Sequence, residues 1–281
     1  MMKTSLLLFM FLGCTSIWAQ GILFPYEENF EWQVKQVDEF IDRFNNADYT
    51  PIRNYLKEEH DIDSVNRAEL ISSLFNLEKE DWSQTDITDF LSELTDSVPP
   101  PYLNFFDHDW YAALECQGRY QGKTEYFTLI LSIRTDPPTP GSRWVIEAVD
   151  SGFLQDKDTT KLLFALGGDY DKSKTLGPAS FGTDFMELVD ALKDTANLEG
   201  YVIPNPQGRP LIAFLNKLYS RDLVFEQVNE ITYHFLQIRN WIFQVQDFHR
   251  ETTNSGWLIN SLMAVSEDQK GTYREQVLYL K

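Results

Sequence analysis

Cysteine is nearly absent from this chain of 281 residues, which has only Cys14 and Cys116. Once the N-terminal segment is removed, Cys116 stands alone and no intramolecular disulfide can form, so stability must come from a packed core. Histidine is as scarce. His60, His108, His234 and His249 are scattered along the sequence, and none lies one helical turn from another as a metal motif requires. Basic residues number 24 against 43 acidic ones. That balance argues against nucleic acid as a partner, because its binding draws on Lys and Arg displacing condensed counterions. Long apolar runs are missing after the first twenty residues, so no transmembrane segment is expected. No Gly-x-Ser-x-Gly elbow, phosphate-binding Gly-Lys-Ser/Thr loop or dinucleotide fingerprint occurs. No catalytic residue, metal site or cofactor is therefore assigned.

What the N-terminus does contain is an export pattern. Lys3 supplies a positive start, residues 5–13 an apolar stretch, and Ile17-Trp18-Ala19 a cleavage site ending in a small residue, which predicts a signal peptide over residues 1–19. Phe11-Leu12-Gly13-Cys14 offers a competing lipobox in which Cys14 becomes the lipidated first residue. Phe11 matches such a box poorly, and Ile17 and Trp18 would follow the anchor with no polar tether. The expectation is an exported protein, periplasmic, with an outer-membrane lipoprotein as the alternative. Lys3 is the one charged residue of the leader, so its removal takes the formal net charge from −19 to −20. Residues 20–155 hold most of that excess and 156–281 are nearly neutral. An acidic body of this kind is first of all soluble, and second a surface that attracts cations or basic partners.

Hydrophobic periodicity divides each half into helices followed by strands. Phe30, Val34, Val37, Phe40, Ile41 and Phe44 recur at three- and four-residue spacing, predicting a helix over 28–45. Pro51 is read as a breaker, and shorter helices follow over 67–77 and 86–94. From Trp110 the period changes: residues 110–116, 124–134 and 144–149 are rich in β-branched and aromatic side chains and are separated by Gly and Pro turns, the pattern of an antiparallel meander covered on one side. In the second half, Asp184 and Glu187 are spaced as a capping box opening a helix, residues 211–219 make another, and strands are expected over 231–238, 241–248 and 257–263.

The class is therefore α+β, with helices followed by a curved antiparallel β-meander and the plan repeated in two halves. The expected organisation is a first, acidic α+β domain over 20–155, a linker region over 156–178 and a second α+β domain over 179–281. The order of elements resembles the cystatin-like cone of the nuclear-transport-factor-two-like superfamily, which includes SnoaL-type enzymes. Phe40-Ile41-Asp42-Arg43-Phe44-Asn45, Gly182-Thr183-Asp184-Phe185-Met186, Tyr233-His234-Phe235-Leu236-Gln237-Ile238 and Ser255-Gly256-Trp257-Leu258-Ile259 carry a second resemblance, to exported uncharacterised proteins of Bacteroides-type bacteria. That family carries no activity over, and fold alone does not imply one.

Four places were weighed for chemistry. Asp107-His108-Asp109 is the one His flanked by carboxylates, and a solvated loop explains it. Residues 167–177 begin like a calcium loop but place Lys174 and Ser180 where Gly and an acid are required. Cys116 sits in an apolar run and reads as a small buried hydrophobe. His234 is the remaining candidate: in a hairpin turning at Arg239-Asn240 it shares a sheet face with Leu236 and Ile238, as a ligand contact or a packed core residue. The functional expectation is a non-enzymatic ligand- or partner-binding module whose partner is an unknown small molecule or protein. The alternative is a small-molecule isomerase, dehydratase or hydrolase using a pocket around His234.

Overall fold

The apolar stripe on Val37, Phe40, Ile41 and Phe44 does form a buried helical face, but the helix α1 (Val37–Asn45) is shorter than expected and ends where Asn46 turns into the left-handed region at φ 57°. The computed structural model describes residues 31–135, 141–154, 161–164, 170–204, 206 and 208–280, so the expected leader and parts of the expected linker, 156–160 and 165–169, lie outside the described residues. Pro51 opens a helix instead of breaking one: α2 (Pro51–His60) carries it at its first position, where a missing N–H costs nothing. The side chain of Asn66 caps α3 (Arg67–Ser73) and that of Ser83 caps α4 (Gln84–Asp96).

Three strands follow, β1 (Trp110–Tyr120), β2 (Lys123–Thr135) and β3 (Ser142–Asp150). After a 3-10 turn at Pro178–Thr183 come α5 (Leu188–Ala191), a second 3-10 turn at Leu198–Tyr201 and α6 (Arg209–Tyr219). The chain finishes with β4 (Leu223–Phe235), β5 (Trp241–Phe248), β6 (Gly256–Ala264) and α7 (Glu267–Gln276). The Asp184–Glu187 capping box does not form. Asp184 closes the first 3-10 turn at φ 49°, and Glu187 instead accepts a hydrogen bond from the Thr183 hydroxyl.

All six strands belong to one antiparallel sheet in the order β3-β2-β1-β4-β5-β6. The two meanders, expected in separate domains, are joined edge to edge. β1 pairs with β4 from Trp110 opposite Phe235 to Tyr120 opposite Leu223. A Cβ on Gly118 would meet the Val224 carbonyl oxygen at 2.9 Å, so this join needs glycine. Residues from both halves share the main core. Trp110, Phe235 and Phe243 stack in a row across β1, β4 and β5, with centroids 5.3 and 5.0 Å apart. Phe40 and Phe44 of α1 close over that row. Each such pair adds about 0.5–1.5 kcal/mol beyond area burial.

Both outer edges of the sheet are covered, which removes the usual template for aggregation. On β6, Trp257 donates to the Val34 carbonyl and Ile259 to that of Leu74. The approach of Val34 is so close that a Cβ on Gly256, at φ 86°, would lie 1.9 Å from its carbonyl oxygen. On β3, Trp144 donates to Leu176 and Ile203 donates to Ile146.

The expectation of a sheet covered on one side is corrected at one end. Tyr111, Ile130, Ala148, Leu236 and Ile242 form a second buried cluster on the far face, under α7 and Leu278. Helix α7 opens on a capping box, Ser266 with Gln269, and its buried residue is Lys270, whose ammonium donates to the carbonyls of Leu236 and Ile238 at 2.8 Å each. Arg274 reaches Asp109 at 2.8 Å. A polar helix is thus held over an apolar sheet face by charged side chains that seek backbone and carboxylate oxygens.

Candidate functional site

His234 lies on β4 between Tyr111 of β1 and Gln244 of β5, on the face covered by α7. Its Nδ1 is 2.7 Å from the Tyr273 hydroxyl, which also accepts from Gln244 Nε2 at 2.8 Å. Because that hydroxyl accepts from Gln244, its own proton goes to Nδ1, and the imidazole keeps its proton on Nε2. The ring is 6% exposed, and burial lowers its pKa to about 4, so it is neutral at neutral pH. Leu236 belongs to the second cluster, whereas Ile238 belongs to the main core; β4 ends at Phe235 and the chain turns there. His234 lines neither of the two cavities described next.

The larger cavity, about 530 Å³, lies between the outer edge of β3, the start of α6 and the C-terminal residues 275–280. A bulge in β3 sets its chemistry. The extra residue is Glu147, and its Oε1 accepts from Ser132 and Arg134 of β2. Tyr279 hydrogen-bonds Asp150 across the same opening. Glu147 and Arg134 are paired with each other, so a ligand would have to displace an ion pair to use them.

The smaller cavity has the opposite character. It is an open groove of about 320 Å³ between Asp38, Ile41 and Asp42 of α1, Phe105 and Phe106 of the loop before β1, and Pro178, Ala179 and Phe181 of the first 3-10 turn. Phe105 stands edge-on to Phe106 at 5.1 Å and to Phe181 at 5.5 Å. Phe106 is 58% exposed, yet the loop bearing it is tied down at several points. Asn45 exchanges two hydrogen bonds with the backbone of Leu103, at 2.7 and 2.9 Å. Gln237 accepts from the Asn104 N–H and donates to the carbonyls of Asn104 and His108. Trp110 Nε1 donates to the Phe105 carbonyl at 3.0 Å, and Trp144 Nε1 holds Pro178 in the same way. The aromatic walls are therefore set before any ligand arrives.

Asp38 and Asp42 stand four residues apart on α1, so their carboxylates rise side by side at the rim. Among the described residues neither forms an ion pair: Asp38 accepts from the Glu39 N–H and Asp42 from the Tyr49 hydroxyl at 2.8 Å. Burial, partly offset by Tyr49, raises the Asp42 pKa, and Asp38 raises it further. Tyr233, outside the groove and fully buried, has a hydroxyl with no hydrogen-bond partner among the described residues, and its pKa is raised first by burial and then by Asp184, Asp38 and Asp247.

The other sequence candidates are structural. His108 is exposed beside Asp107, and Asp109 is taken by Arg274. Cys116 is buried and its thiol pKa is pushed up by that burial. Asp171 accepts from the N–H and hydroxyl of Ser173 in a local turn. Among the described residues, no group of three or more His, Cys, Asp or Glu is placed to hold a metal ion, and no helix is long and apolar enough to cross a membrane. Sequence reasoning did not reach the groove, since its walls come from residues 38–42, 105–106 and 178–181. The adjacent Phe105-Phe106 after a proline-rich turn was the one signal available. No family model, curated protein or solved structure matches this chain.

Proposed function

We propose that the protein is an exported, non-enzymatic binding module for a small ligand, and that its binding face is the groove between α1, the loop 103–109 and the turn Pro178–Thr183. The observation that carries this reading is the coexistence of rigidly held, solvent-reachable aromatic walls with two carboxylates that have no counter-charge among the described residues. An exposed ring, Phe106, beside two crowded acids is the kind of surface that marks a binding site. A volume near 320 Å³ suits a small molecule at the lower end of ligand sites. The leader pattern and the resemblance to exported Bacteroides-type proteins support export, and intact mass of the secreted protein tests cleavage after Ala19 against a lipidated Cys14.

An isomerase, dehydratase or hydrolase at His234 has less support. A general base must reach its substrate, and this ring is held by Tyr273 beneath a helix. The deciding experiment is a thermal-stabilisation screen of small molecules run in parallel on the mature protein and on Phe106→Ala. Compounds that stabilise the parent and fail on the variant support the groove. Compounds that stabilise both equally while His234→Gln abolishes the effect would move the site to His234.

A further inference from the structure

We infer that the groove recognises an alkylated ammonium ion, a cation whose charge is spread over N-alkyl groups. This rests on the groove being the binding face and adds the chemistry of the ligand. The walls are Ile41, Pro178, Ala179 and the rings of Phe105, Phe106 and Phe181, which offer carbon surface and π-electron density and no hydrogen-bond acceptor. Aromatic faces attract cations through the ring quadrupole, and aromatic cages are the recurrent receptor for quaternary ammonium groups. A primary ammonium carries three donors and a tight hydration shell. In this groove it would find only the rim carboxylates, one already engaged by Tyr49 and the other by the Glu39 N–H. An N-alkylated cation has few or no donors to satisfy, gives up little hydration, and buries its alkyl groups against the rings.

The charge pattern selects the sign. Asp38 and Asp42 at the rim repel anions. A neutral apolar ligand would leave two neighbouring carboxylates facing a drier groove, which costs more than leaving them in water. A cation placed between the rings and the acids relieves that repulsion, so the two features of the groove favour the same ligand. The net charge of the mature chain steers such a cation toward the protein at low ionic strength.

The test uses the full mature chain and three probes: choline, its uncharged carbon isostere of nearly equal shape 3,3-dimethylbutan-1-ol, and ethanolamine, the primary amine without the N-methyl groups. Binding is followed by isothermal titration and by the shift in melting temperature, with sodium chloride as the ionic control. The expected order is choline first, with the neutral isostere and the primary amine each at least about tenfold weaker. Asp38→Asn and Asp42→Asn should each weaken choline several-fold without weakening the neutral isostere, while Phe106→Ala should weaken both. Circular dichroism and melting curves confirm that the variants fold. Equal binding of choline and its isostere, both lost in Phe106→Ala, would overturn the cation inference while leaving the groove as the binding face. Tighter binding of ethanolamine would overturn the alkylated class. Absence of choline binding at about 10 mM would overturn the inference outright, and the groove itself would then stand or fall on the separate screen.

Discussion

Two regions on opposite faces of the sheet hold polar groups in contrasting ways. Under α7, every polar contact is answered: His234 by Tyr273, Tyr273 by Gln244, Lys270 by two carbonyls and Arg274 by Asp109. At the groove, Asp38 and Asp42 crowd each other beside the exposed ring of Phe106, and among the described residues neither forms an ion pair. The satisfied network holds a polar helix on an apolar face, and the ligand proposed for the groove would supply the counter-charge that Asp38 and Asp42 lack among the described residues.

This contrast breaks first at Lys270. Its ammonium is 2% exposed and serves the carbonyls of Leu236 and Ile238, so Lys270→Ala should cost about 2–4 kcal/mol, read as a lower denaturant midpoint. Choline affinity should be unchanged; a matching loss of affinity would mean that the two regions are coupled.

A second test uses pH. The His234 pKa is near 4 in the folded protein against 6.5 for the ordinary side chain. Above pH 6.5 the ring is neutral in both states. As pH falls from 6.5 toward 4, the unfolded chain binds a proton that the folded one refuses, so stability drops with falling pH, by about 3 kcal/mol over the window. Below pH 4 this contribution levels off. His234→Gln should lose about 1–3 kcal/mol at pH 7 and also lose that part of the pH slope, so parent and variant converge near pH 5. A gap in denaturant midpoint that stays constant between pH 7 and 5 would show that the ring titrates normally.

The groove variants should move stability least. Phe106→Ala removes a largely exposed ring and should shift stability by less than about 0.5 kcal/mol while abolishing ligand-induced stabilisation. Asp42→Asn relieves the like charge four residues from Asp38 and should stabilise the unliganded protein by about 0.3 kcal/mol, measured as a slightly higher melting temperature. A destabilising Asp42→Asn would mean that its bond with Tyr49 outweighs the repulsion and that the groove carries no strain.

Much of the local architecture was legible because side-chain period reports the faces of a single element. The stripe from Val37 to Phe44 marked α1, the β-branched and aromatic run 124–134 marked β2, and β5 matches its expected limits. The failures share a cause. Helix α7 has almost no apolar periodicity, since the side chains it turns inward are Lys270, Tyr273 and Arg274; its capping box Ser266–Gln269 was the readable signal. Pro51 reads as a breaker in isolation, yet it sits at the first position of a helix. Asp184 and Glu187 had the spacing of a cap, but the left-handed turn at Asp184 served the 3-10 segment before it.

The sequence by itself determined the α+β class, the two runs of three strands and the acidic character, because these follow from residue composition and from contacts along one element. Only the tertiary structure decided that β1 and β4 join the runs into one sheet, that a polar helix seals His234 behind it, and that Phe105, Phe106 and Phe181 meet Asp38 and Asp42 around one groove. Those outcomes depend on which distant surfaces leave water together, a sum over the whole chain that no local pattern records.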